Sequence, residues 1–275
     1  MQEIIDYAVE NETTFAEIMI SEEMSLKGIS RDEVRALMKQ NIDVMREAVE
    51  KGITDEGVKS VTGYTGQDAV KLATYNERAH ALSGYEMVEA LKGAIATNEV
   101  NAAMGIICAT PTAGSSGTIP GILFKLEKSH HLTTDQMIDF LFAAALCGKV
   151  IANNASVAGA IGGCQAEVGS ASAIAAAAAV EIFGGSPQAS GHAMALAISN
   201  LLGLVCDPVA GLVEIPCVMR NAIGSGNGLI SADLALAGVE SKIPVDEVIE
   251  AMDKVGRNLP ASLRETGIGG LAGTP

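Results

Sequence analysis

Apolar positions recur at helical spacing through both ends of the chain. Ser30-Arg31-Asp32-Glu33 reads as a capping box, followed by Val34, Leu37, Met38, Ile42, Val44 and Met45 on one face, with Gly52 as the expected stop. Thr133-Thr134-Asp135-Gln136 is a second box, leading into Met137, Ile138, Phe140, Leu141 and Phe142, with Gly148 as its expected end. Ser186 precedes Pro187, the N-cap and first-position pair of another helix, with Gly203 past its end. Pro244 opens a last amphipathic helix that closes near Gly256. Residues 171–180 are nearly all alanine, the best helix former, within a helix expected over 165–183. Two-residue alternations are scarce and aromatic-rich strands are absent. The pattern predicts an all-α fold, a single compact domain of many short helices with a Gly/Ala-rich buried core and cysteines carried on loops.

Charge divides the 275 residues into three parts. Residues 1–99 hold 29 of the 51 charged side chains, residues 100–232 hold 11, and residues 233–275 hold 11. The reading is an amphipathic first part, a buried core and a C-terminal helical part. Residues 100–124 and 182–206 carry no charge, but Pro111, Pro120, Gly184, Gly185 and Pro187 interrupt them. A membrane-spanning helix is therefore not expected. A net charge of −15 argues against nucleic acid and anionic lipid as partners. The first residues lack the basic and apolar regions of a signal peptide, and five cysteines do not make a disulfide framework, so the expected location is the cytoplasm.

Three cysteines stand beside helix-breaking sequence: Cys164 after Gly162-Gly163, Cys206 at the head of Cys206-Asp207-Pro208-Val209-Ala210-Gly211, and Cys217 after Pro216. A cysteine at a helix start favours thiolate, the form that binds iron or zinc. The spacing contains no C-x2-C pair, and the alternative that these are small buried hydrophobes stays open on spacing alone. Cys108 and Cys147 lie in apolar runs expected to be helical. The hydroxyl-rich stretch Thr110-Pro111-Thr112-Ala113-Gly114-Ser115-Ser116-Gly117-Thr118 and the stretch Asn153-Asn154-Ala155-Ser156 offer N–H and O–H groups to an anion such as a carboxylate, or are ordinary turns. Lys149 is a candidate Schiff-base residue or the ion-pair partner of a helix end. His130 and His131 begin a turn, His80 falls in an amphipathic helix, and His192 reads as a hydrogen-bonded core residue.

Taken in order, several stretches resemble the iron–sulfur L-serine dehydratases. They are Asn98-Glu99-x-Asn101-Ala102-Ala103, Ala109-Thr110-Pro111-Thr112-Ala113-Gly114 with Gly121, Asn154-Ala155-Ser156, and Gly163-Cys164-Gln165-Ala166-Glu167-Val168-Gly169. Cys206-Asp207-Pro208-Val209-Ala210-Gly211, Pro216-Cys217, Arg220-Asn221-Ala222, and Arg264-Glu265-Thr266 with Gly269-Gly270-Leu271-Ala272 follow. The match covers nearly the whole chain and is similar to the separate α subunit of the two-subunit form. The resemblance implies a 4Fe–4S cluster on Cys164, Cys206 and Cys217, conversion of L-serine to pyruvate and ammonia without pyridoxal phosphate, a role in amino-acid degradation and gluconeogenesis, and a β-subunit partner. Three thiolates leave one iron open as a Lewis acid for the β-hydroxyl.

Substrate-holding candidates are Thr110, Thr112, Ser115, Asn153, Asn154 and Arg264. Lys71 and Lys149 are weak candidates for the base, which the resemblance places on a histidine of the β chain. Glu167 and Asp207 read as caps or supports. Some fused relatives place a terminal cysteine near the cluster, and none stands here. Alternative activities are cysteine desulfidation on the same cluster, a pyridoxal-phosphate dehydratase using Lys149, and a redox sensor without turnover.

Overall fold

The computed structural model describes residues 1–54, 56–78 and 81–275. Among these residues twelve α-helices follow one another: α1 (Gln2–Glu10), α2 (Phe15–Lys27), α3 (Arg31–Ile53), α4 (Asp68–Arg78), α5 (Tyr85–Ala102), α6 (Thr118–His130), α7 (Thr134–Asn154), α8 (Gly159–Gly162), α9 (Ser170–Ile182), α10 (Pro187–Asn200), α11 (Cys217–Leu236) and α12 (Val245–Asn258). No strand occurs among the described residues, and two isolated bridges, Lys59 to Gly66 and Cys206 to Arg264, are the only sheet-like pairings there. The fold is all-α. Among the described residues, no helix is long and apolar enough to cross a membrane.

Two helices form the interior. In α9, every residue from Ser170 to Val180 is buried, so the alanine run packs on all sides, against α7, α10 and α11. In α5, the stretch Gly93–Val100 is buried throughout, enclosed by α3, α4, α6 and α11. Small residues permit this. A Cβ at Gly117 would lie 2.1 Å from Ala94 O, and one at Gly121 would lie 2.5 Å from Ala90 O, so α6 meets α5 backbone to backbone. One apolar core runs from Ile5 and Phe15 through Phe140 and Met194 to Met252, joining all three charge-defined parts.

The two capping boxes form as expected, on Ser30 with Glu33 and on Thr133 with Gln136, and Ser186 caps α10 ahead of Pro187. Gly52 and Gly148, expected as stops, lie inside helices instead. A Cβ at Gly52 would sit 2.6 Å from Ala96 O, and Gly148 faces Ile174, so both are contact points where tertiary packing outweighs a weak breaker. Cys108 is not helical but lies in the extended segment after α5, whereas Cys147 is buried inside α7 as expected. The expected helix over 165–183 is α9 with a π-helical turn, Gln165–Gly169, ahead of it. His192 is half-buried beside Gln2, Ile5 and Val245 rather than in the core. His80 lies outside the described residues.

Candidate active site

The three cysteines expected to act together come from separate segments; Cys164 and Cys206 meet, and Cys217 is near enough to feel the charge of Cys164 but is not part of their close group. Cys164 precedes the π-helical turn, Cys206 lies in the loop after α10, and Cys217 is the first residue of α11. All are at least 95% buried and unbridged. Cys164 Sγ, Cys206 Sγ and a carboxylate oxygen of Glu167 lie within 4.8 Å of one another. The Cys206 thiol lies against Cys164 and, with the charge of Arg220, holds it below the usual thiol range in spite of burial. The direction matches the expectation for Cys164, but the cause is these neighbours rather than the helix end. The same contact with Cys164, together with burial, pushes Cys206 up. Burial and the negative charges of Cys164 and Glu167 push Cys217 up to about 12. The site therefore gathers acidic groups, with the cation Arg220 beside them.

Arg220 Nη1 donates to Val205 O at 2.8 Å and lies 2.7 Å from Asp207 Oδ1 as an ion pair, off the line of a hydrogen bond to that oxygen. Asp207 Oδ2 accepts from Leu271 N at 2.7 Å and fastens the C-terminal segment over the loop. Gly270 permits this with φ +61°, and its Cβ would lie 2.3 Å from Asp207 Oδ2. Cys206 N donates to Leu263 O, so Arg264 arrives beside Cys206. Arg264 Nε is buried without a hydrogen-bond partner.

The hydroxyl-rich loop meets the cysteines through Glu167. Thr112 Oγ1 donates to Glu167 Oε1 at 2.6 Å and lies 3.2 Å from Ser115 Oγ, which donates to Thr110 O at 3.0 Å. Cys206 Sγ donates weakly to Glu167 Oε2 at 3.9 Å. Burial, aided by the charge of Glu265, raises the Glu167 carboxyl above its ordinary range, with the Thr112 bond working against it. Thr110 Oγ1 is buried and unpartnered. Asn221 anchors the loop: its Oδ1 accepts from Gly117 N and Thr118 N, and its Nδ2 donates to Gly114 O and Cys217 O, tying the loop to the start of α11. An adjacent cavity of about 560 Å³ includes Met45, Thr110, Ile119 and Ile174 in its wall and has no charged lining residue.

Other candidates stand apart. Asn153 and Asn154 are exposed at the end of α7, where Asn154 Nδ2 donates to Val150 O at 2.8 Å. Lys71 is exposed on α4 and pairs with Asp68 at 2.6 Å. Lys149 is half-exposed on α7 and pairs with Glu22 of α2, the ion-pair role read for it. The sequence reading took Glu167 only as a cap or support, and it had Arg220 and Asn221 only within a stretch that resembles the family, with no role for either. Glu167 carried a signal, its C-x2-E spacing from Cys164. Asn221 carried only its place in the Arg220-Asn221-Ala222 stretch, because the groups it bonds come together only in the folded chain.

Residues 10–272 match the family model described as serine dehydratase alpha chain. The chain belongs to this family. It is 55% identical over its full length to a protein of Bacillus subtilis (strain 168) named "Probable L-serine dehydratase, alpha chain", covering 91% of that protein. It is 43% identical to the "L-serine dehydratase, alpha chain" of Peptoniphilus asaccharolyticus, covering 93% of it. Against the "L-serine dehydratase 2" of Escherichia coli (strain K12) it is 35% identical but covers only 57% of that longer chain. The chain thus has the span of the relatives named as alpha chains, and the converging loops are a feature of a serine dehydratase alpha chain.

Proposed function

We propose that this chain is the α subunit of a two-subunit, cytoplasmic L-serine dehydratase, a lyase that yields pyruvate and ammonia with a 4Fe–4S cluster on Cys164, Cys206 and Cys217 and without pyridoxal phosphate. The observation that carries the reading is a buried, unbridged pair of thiols in contact, Cys164 and Cys206, with the equally buried Cys217 within reach of the charge of Cys164, next to buried polar groups with no partner of their own. The names of the relatives support the substrate and the missing subunit. The donor set fits an iron–sulfur group: cluster irons take thiolates, and Cys164 is already held toward that form. When bound, the cluster supplies a Lewis acid for the serine β-hydroxyl, since hydroxide is a poor leaving group.

The chain's own residues do the rest. Arg220 offsets the charge of the thiolates and holds the 205–207 backbone. The free donors Thr110 Oγ1 and Arg264 Nε are suited to the substrate carboxylate, because a carboxylate would satisfy groups that are otherwise orphaned. Thr112 and Ser115 hold the loop that presents them. Removal of the Cα proton needs a positioned base, worth about 10²–10⁴-fold in rate. His130, at the end of α6, stacks edge-on against Phe183, and His192 is on α10 beside Gln2, Ile5 and Val245, so neither is on an element that carries a cysteine. A histidine of the β subunit fills that need. Val61, Tyr64, Leu212 and Ile268 are exposed on loops joined to the site, the first two on a loop bonded to Glu214 through Thr62 and Thr65. A second chain would cover them.

The test is anaerobic purification, iron and sulfide analysis, and a pyruvate assay with and without the β chain. The expected result is iron and sulfide on this chain, and turnover only in the mixture. Air abolishes that activity, and ferrous iron with thiol restores at least part of it. Iron-free protein, or full turnover by this chain alone, overturns the reading.

A further inference from the structure

We infer that Glu167 is the fourth ligand of the centre held by the three cysteines, a carboxylate that occupies the open iron until substrate displaces it. The inference rests on the cluster assignment above and concerns what holds the iron that no cysteine holds.

Four observations carry it. First, an oxygen of Glu167 lies with two of the thiols: Cys164 Sγ, Cys206 Sγ and that oxygen are all within 4.8 Å of one another. Among the described residues this is the only group of three or more metal-ligating side chains so closely placed. Second, the spacing Cys164-Gln165-Ala166-Glu167 repeats, with a carboxylate in the last place, the two-residue gap common between cluster thiolates. The segment is wound as a π-helical turn, Gln165–Gly169, which sets the direction of Glu167 differently from a plain α-helical turn.

Third, the carboxylate is caged. Thr112 holds Oε1 at 2.6 Å, and Gly114 and Gly159 close around it. A Cβ at Gly159 would lie 2.6 Å from Glu167 Oε2 and 2.9 Å from Cys206 Sγ, so only glycine leaves both donors free there. Fourth, the carboxylate forms no ion pair with any described Lys, Arg or His, although it is 91% buried. A buried carboxylate without a cation is costly, and such groups pair or coordinate metal. Thr112 satisfies one oxygen, and the other faces the thiols.

The chemistry suits the task. A hard oxygen donor on an iron otherwise surrounded by sulfur exchanges more readily than a thiolate, so it protects the iron at rest and yields to the hydroxyl and carboxylate of serine. The exchange needs no redox change: Glu167 leaves with its electron pair, remains bonded to Thr112, and is then placed to accept from the substrate ammonium.

The test uses the reconstituted holoprotein without serine. The readout is the rate at which ferricyanide converts the four-iron EPR-silent centre into the three-iron signal, with iron per chain measured alongside. Glu167→Gln, which keeps the shape, is expected to lose the fourth iron roughly tenfold faster than wild type or more. Glu167→Cys is expected to resist conversion and to show altered g-values after reduction. The thermal melt of each variant confirms folding. An unchanged conversion rate in Glu167→Gln together with a raised KM for serine overturns the inference and makes Glu167 an ammonium acceptor alone. Failure of both variants to change conversion overturns it as well. Wild-type protein that takes up no iron or sulfide overturns the cluster assignment itself, and this inference with it.

Discussion

Glu89 and Glu167 are both 9% exposed, yet their surroundings are opposite. Glu89 lies between α4, α5 and α6. It accepts from Lys92 on both oxygens at 2.9 Å, from Lys128 at 2.8 Å and from Asn76 at 2.9 Å. Burial pushes its carboxyl up, but those donors more than offset it and hold it below the ordinary range. Glu167 meets one hydroxyl and a weakly donating thiol, and its carboxyl is raised. The same residue type at the same depth serves as a structural tie in one place and, in the other, as a carboxylate with no cation beside it. Burial alone therefore does not mark a functional carboxylate. What sets Glu167 apart is the lack of a cation together with two thiols beside it, an arrangement that folding alone does not reward.

The largest test of this division is at the thiols. Cys164→Ser, Cys206→Ser and Cys217→Ser are each expected to abolish most bound iron, by roughly 10–100-fold or more in affinity, while Cys108→Ser and Cys147→Ser retain it. Iron analysis after reconstitution decides it. Equal loss at Cys108 or Cys147 would remove the cysteine loops from the comparison.

At the carboxylates, Glu89→Gln is expected to lower stability by about 3–5 kcal/mol, since it leaves Lys92 buried without its counter-charge. Glu167→Gln in the cluster-free protein is expected to stay within about 1 kcal/mol of wild type or to exceed it. Urea melts of the two variants measure this. Similar losses at both sites would show that the contrast is not energetic.

Glu99 sharpens the comparison by pH. It is buried and accepts only from Asp68 N at 2.7 Å and Ala69 N at 3.4 Å, and desolvation raises its carboxyl to about 7 from 4.5. The folded state then binds the proton more tightly than the unfolded chain. Its contribution is full below pH 4.5 and is lost as pH rises toward 7, a total of about 3 kcal/mol at most. Glu89 has the opposite sign: its contribution is present above 4.5 and is lost as pH falls through its lowered value. Glu99→Gln is expected to flatten the stability profile between pH 4.5 and 7. A wild-type profile already flat there refutes this.

The smallest effect is at the exposed pair of Lys149 with Glu22. Lys149→Ala is expected to cost under about 1 kcal/mol and to leave pyruvate formation by the two-chain enzyme unchanged. Loss of turnover without loss of stability would bring Lys149 back as a chemical residue.

The helical class, the capped starts of α3, α7 and α10 and the alanine core of α9 were legible in the chain, because caps and periodicity are local and act within a turn or two. The grouping of Cys164, Cys206 and Cys217 came from the resemblance, since their spacing alone left a buried-hydrophobe reading open. Folding settled matters that depend on distant neighbours. Gly52 reads as a stop until Ala96 of α5 is seen against it. Glu167 and Glu89 are alike as letters, and the difference between them is supplied by Lys92, Lys128 and Thr112. A breaker or an acid is a local property. The energy of a helix end, or of a buried charge, belongs to whatever the rest of the chain packs against it.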